Sequence, residues 1–162
     1  MAATFGPSYG ADTGLTITSL NSLGNNAYAG SAVVDNSALS PPAEDVLVGV
    51  AIVSAAAGVS TTGTVAVFAY SDVDALPHYT AGVTGTDAVQ TPVNGSALRP
   101  LGIMDVNAVN TTYYGGRWSV AKAFGGTMPK KWGIVVQNLS GAALAAAGNA
   151  VRYETVNGQS TP

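Results

Sequence analysis

PKKWGIVVQNLSGAALAAAGNAVRYETVN, residues 129–157, decides the fold class. A basic, proline-led turn, Pro129-Lys130-Lys131, feeds a strand with Trp132, Ile134 and Val136 on one face. A loop of small residues follows. Then Val151 and Tyr153 oppose Arg152 and Glu154. Alternation with period two is the mark of a strand with one buried face. Two such strands around a small-residue loop predict a β-hairpin built for packing and assembly. The Ala-rich piece between them, residues 141–148, is bounded by Gly at both ends. It is too short to hold a helix by itself and reads as loop.

Outward from this stretch the chain predicts more short strands with turn signals between them. Residues 15–20 place Leu15 and Ile17 opposite Thr16 and Thr18, and NSLGNN (21–26) is a turn. A second strand is expected over 27–35, ending before Pro41 and Pro42, which no ladder accepts. Residues 46–54 are apolar on both faces, as in a central strand. AAAGVSTTG (55–63) turns the chain into a strand over 64–70. Residues 71–97, with Pro77, Pro92 and several Gly, form a long functional or structural excursion. Strands recur near 98–106, 117–121, 132–137 and 151–156. The expectation is all-β: an antiparallel β-sandwich of about eight strands, of jelly-roll type. Its domain covers residues 14–157, between an N-terminal arm over 1–13 and a frayed tail over 158–162.

The composition narrows the function classes. Of 162 residues, 47% are hydrophobic and only 9% charged. A soluble domain usually carries about a quarter charged residues. So uncharged a surface is covered by Ser, Thr, Asn and Gly, or by another protein, and burial by a partner is the favoured expectation. The net charge is −3 and the six cations look scattered, apart from Lys130-Lys131. Nucleic acid is therefore not an expected partner. There is no Cys, which removes disulfides, thiolate metal sites and Cys chemistry. MAATFGPSYG lacks the basic and apolar regions of a signal peptide. The apolar run over 46–53 is too short to cross a bilayer. A soluble chain, made in a cytoplasm without export and with no membrane partner, is expected.

Several residue sets bear on chemistry, and each has a plainer alternative. Asp72 and Asp74 hint at a calcium loop, but the Gly, the terminal Glu and the further oxygens of an EF-hand are out of register. A polar turn with carboxylates capping backbone amides is expected there. His78 is the single His and has no metal-ligand or catalytic partner at usual spacing. Gly30-Ser31 and Gly95-Ser96 do not complete a nucleophile elbow. Glu44, Asp45 and Glu154 read as surface carboxylates, and Gly115-Gly116 and Gly125-Gly126 as turn glycines. No enzyme activity, cofactor or metal is expected.

Trp118 and Trp132 are expected in the core, where large aromatics dominate burial. Tyr113 and Tyr114 are candidates for a rim or an interface, and stacking on a sugar is the rival use. Lys130 and Lys131 are a solvated turn, or they meet an acidic patch on a partner. Residues 1–13 cannot fold alone. They are a frayed tail, or an extended arm whose Phe5 and Tyr9, stiffened by Pro7, anchor on a neighbour.

Four stretches together resemble the small jelly-roll structural proteins of tailed bacteriophages. They are TGLTITSLNSLGNNAYAGSAVVDNS (13–37), TTGTVAVFAYSD (61–72), LPHYTAGVTGTDA (76–88) and FGGTMPKKWGIVVQNLSGAALAAAGNAVRYETVNG (124–158). The resemblance implies a virion protein made in the host cytoplasm and placed on the capsid surface. It implies a cement, or decoration, protein that binds and stabilises the shell of major capsid protein. Self-association, as a homotrimer, is implied too. A carbohydrate-binding, tail or head-fibre accessory module is the alternative. Phe5, Pro7, Tyr9, Tyr113, Tyr114, Lys130 and Lys131 are the expected contacts with shell or subunit.

Overall fold

Two antiparallel sheets pack face to face as a β-sandwich. The computed structural model describes residues 4–74 and 76–161, with side chains over 6–74 and 76–158. Eleven strands lie among them, β1 (Thr4–Tyr9), β2 (Thr13–Leu15), β3 (Tyr28–Gly30), β4 (Val34–Asp35), β5 (Asp45–Val53), β6 (Thr64–Ser71), β7 (Ala88–Gln90), β8 (Arg99–Asp105), β9 (Thr112–Ser119), β10 (Lys131–Leu139) and β11 (Ala150–Thr161). Short 3-10 turns and one four-residue helix, α1 (Val120–Ala123), join them. The first sheet runs β1-β11-β5-β9, with β2 also on β11. The second runs β7-β3-β10-β6-β8, with β4 also on β10. This order is compatible with a jelly roll.

The alternation seen in the sequence builds the core. Val46, Val48, Val50 and Ile52 of β5 and Val151 of β11 point inward from the first sheet. Val65, Val67 and Ala69 of β6 meet them from the second, with Trp132, Ile134 and Val136 of β10. Each Val or Ile so enclosed stabilises the fold by about 1.5–3 kcal/mol relative to exposure. Trp132 is fully buried, as expected, and meets Tyr153 edge-on with ring centroids 5.3 Å apart. Trp118 is half-buried against the same core.

The excursion over 71–97 is structural. It covers the outer face of the second sheet, where Tyr79, Ala81, Val83 and Leu98 pack on Tyr70 and Val135 as a second, smaller core. The hydroxyl of the buried Tyr70 donates to the Ser31 carbonyl (2.9 Å), and burial raises its pKa far above the usual phenol range. The Asp87 carboxylate pins this layer to the body. It accepts from Thr18 N (2.8 Å), Thr18 Oγ1 (2.6 Å) and Ser19 N (3.0 Å).

Several expectations are corrected. β10 and β11 do not form a hairpin, because they lie in different sheets. The chain between them crosses from one sheet to the other. It inserts Leu144 into the core and is tied by Asn138 Nδ2 to the Leu23 and Ala142 carbonyls. The strand expected over 15–20 ends at Leu15, because Asp87 captures the amides of the 3-10 turn Thr18–Leu20. The strand expected over 27–35 is split into β3 and β4. Between them the Ser31 hydroxyl, in place of a ladder carbonyl, accepts the Ile134 amide (3.0 Å). Near 117–121 the strand lies earlier, as β9, and Ser119 caps α1 through the Lys122 amide.

Among the described residues, the segments expected as an arm and a frayed tail include β1 and the end of β11. β1 pairs antiparallel with the end of β11, from Tyr9↔Val156 to Thr4↔Thr161. Beyond Val156 the ladder with β5 has ended, so β11 continues there with β1 as a two-stranded ribbon. Glu44 holds its base, accepting from Gly158 N (3.1 Å).

Candidate functional site

Among the described residues, no layer covers the outer face of the first sheet as one covers the second. Along β5 the outward positions are Leu47, Gly49 and Ala51, which β11 matches with Glu154, Arg152 and Ala150. On the other side Tyr114 of β9 stands opposite Ala51. Small side chains down the middle and large ones at the rims leave a trough of about 340 Å³.

Two ion pairs frame it. Arg117 Nη1 reaches Glu154 Oε2 at 2.9 Å, and Arg152 Nε pairs with Asp12 Oδ2, its Nη2 also donating to the Asp12 carbonyl (3.2 Å). A register shift between Val48 and Gly49 opposite β9 produces the first pair. Arg117 occupies it with φ +58°, a left-handed conformation that a non-glycine residue rarely adopts. Gly116, at φ +140°, permits the close approach, since a Cβ there would lie 2.4 Å from Gly49 Cα. Tyr114 is 81% exposed at the rim. Tyr113 points the other way, packs on the core, and accepts the Ala108 amide on its hydroxyl (2.7 Å).

The expected contact residues are not brought together. Tyr114 and the exposed Tyr9 lie on strands separated by two others in the first sheet. Pro7 is exposed on β1, and the Phe5 side chain lies outside the described residues. Lys130 precedes and Lys131 starts β10 in the second sheet, where Lys131 N donates to Asp72 Oδ1 (3.3 Å). Both lysines face Asp35, whose carboxyl lies below the usual range mainly through the Ser37 hydroxyl and, to a lesser degree, through their charge. Of the six whose side chains are described, Tyr114 lines the trough and the other five do not.

The cations are less scattered than the sequence implied. Arg99, Arg117 and Lys122 line one cleft of about 570 Å³ with Trp118 and Ser119, where β8 and β9 meet at the side of the sandwich. Arg152 and Glu154 were visible as outward positions of an alternating strand, whereas Gly49 and Ala51 lay in a run read as apolar on both faces. The register that makes them one surface was not visible.

The other groups serve the fold. Asp74 accepts from Leu76 N (2.9 Å) and contacts His78 Nδ1 (2.9 Å). Its carboxyl lies below the usual range, chiefly through that His78 contact. With Asp72 on the Lys131 amide, this is the polar turn the sequence predicts. Among the described residues no three His, Asp or Glu side chains stand together as a metal cluster. No described helix is long and apolar enough to cross a membrane. No family model and no curated protein matches the chain.

Proposed function

We propose that the chain is a cement protein of a tailed-phage particle, binding the outside of the major capsid protein shell and stabilising it. One observation carries this: the layer over the second sheet leaves large apolar side chains in water. Val73, Leu76 and Val93 of the excursion are 61–87% exposed, and Val89 of the neighbouring edge strand β7 is 62% exposed. A chain with so few charges offers them little polar cover. The jelly-roll character, the homotrimer and the capsid-surface location belong to the same proposal.

The mechanism is mechanical. A shell groove that encloses these side chains gains up to about 2 kcal/mol from each. Binding that favours the assembled shell raises the free energy needed to separate it. In a trimer, one engaged subunit raises the effective concentration of the other two at their sites, so modest contacts become lasting ones. Arg99 and Lys122 of the side cleft, which pair with no carboxylate among the described residues, suit carboxylates on the shell and steer the encounter.

The test uses shells stripped of this protein. The purified chain should rebind and raise their disruption temperature. Leu76→Asp with Val93→Asp should abolish both effects while leaving the chain's own melting unchanged. Equal binding and protection by this variant would remove the layer as the contact, and no binding by the native chain would remove the function.

A further inference from the structure

We infer that the trough on the first sheet is a binding site for a neutral saccharide, independent of the shell contact. Three features point to this ligand class. First, the volume of about 340 Å³ lies within the range of small-ligand sites, roughly 300–1,000 Å³. Its floor includes Gly49, Ala51 and Ala150, whose side chains are no larger than a methyl group.

Second, Tyr114 presents an aromatic face at the rim. A pyranose has an apolar face of C–H groups that stacks on such a ring, and a tyrosine loses little conformational freedom in holding it.

Third, the polar groups are balanced. Arg117–Glu154 and Arg152–Asp12 offer guanidinium donors and carboxylate acceptors side by side, and their charges sum to zero. Neighbouring sugar hydroxyls both donate and accept, so they fit between such groups. An anion gains nothing net there. An extended peptide gains little, because the face of a paired sheet offers no free backbone to bond. The left-handed Arg117 fits a site that holds a side chain in place against its backbone preference.

Gly49 supplies a second handle. A Cβ there would meet only the Gly115 carbonyl oxygen at 3.7 Å, an ordinary contact. The β-carbon of Gly49→Val therefore sits at an ordinary contact distance, and its methyl groups take up space in the trough that Gly49 lines.

The experiment titrates the isotope-labelled full chain with glucose, galactose, mannose, N-acetylglucosamine and their disaccharides. A glycan array carrying neutral and sialylated chains runs beside it. A neutral saccharide should shift the amides of residues 49–51 and 114–117. Tyr114→Ala and Gly49→Val should each weaken it roughly tenfold or more, about 1.4 kcal/mol per decade, with native melting. Leu76→Asp with Val93→Asp should leave it unchanged, which separates this site from the shell contact. Three results would overturn the assignment: no saccharide shifting these amides, binding indifferent to both trough variants, or binding of sialylated chains only. Loss of shell binding on Tyr114→Ala, with no saccharide bound, would assign the trough to the shell instead.

Discussion

Replacing Asp87 by Ala should loosen the layer that covers the second sheet. Asp87 accepts three hydrogen bonds from Thr18 and Ser19, about seventy residues away, and the anchoring resembles an N-cap on the turn Thr18–Leu20. Hydrogen bonds to a charged group contribute about 1.5–3 kcal/mol when buried, and caps about 0.5–2. Thr18 is exposed, so water recovers part of the loss. A net cost of about 2 kcal/mol is expected, which lowers the melting temperature of a domain this size by about 4–8 °C.

The pH dependence identifies the cause. Partial burial pushes the Asp87 carboxyl up, but the bonds from Thr18 and Ser19 outweigh it and leave the folded pKa lowered. A lowered folded pKa means the contribution is present above the unfolded value, near 3.9, and is lost as pH falls through the folded one. Melting followed by circular dichroism should show the full gap between native chain and variant at about pH 7. The gap should narrow as pH falls below about 4. An unchanged melting temperature at neutral pH, or a gap that persists into strong acid, would refute this account of Asp87.

Other perturbations test other parts. Gly133→Ala places a Cβ 2.3 Å from the Tyr70 ring and hydroxyl, so it should cost at least about 1–3 kcal/mol in a denaturant melt, and Tyr70→Phe should cost about 1 kcal/mol through the Ser31 bond alone. Arg99→Glu with Lys122→Glu should slow shell association and flatten its salt dependence, whereas Lys130→Ala with Lys131→Ala should change the rate less than twofold, which stopped-flow kinetics can compare. Deleting residues 2–12 removes β1 and Asp12 but no residue of the main core. The trimer mass should hold in light scattering and shell binding should hold with it, because the proposed contact lies over the second sheet and β1 edges the first; lost binding would show that the ribbon also touches the shell.

The strands with the cleanest alternation were legible in the sequence. β6, β10 and β11 lie where their apolar periods place them, β5 lies where its apolar run places it, and Trp132 is in the core. Alternation names the face of a strand but not its neighbour. That is why β10 and β11 looked like a hairpin although they lie in different sheets. The breaks at Ser31 and Thr18 come from Ile134 and Asp87, partners far along the chain, so no local signal marked them. The trough was half legible. Arg152 and Glu154 were outward by period, and Tyr114 was a candidate. Arg117 was missed because a left-handed residue in a bulge has no composition cue when it is not glycine.

Cryo-electron microscopy of the intact particle that carries this chain tests the central proposal most directly. The account predicts sandwiches with this strand order on the outer surface of the shell, in threefold groups bridging neighbouring major capsid subunits. The layer over the second sheet should face the shell, and the Tyr114 trough should face solvent. Density for the chain inside the shell, on the tail alone, or nowhere on the particle would contradict it.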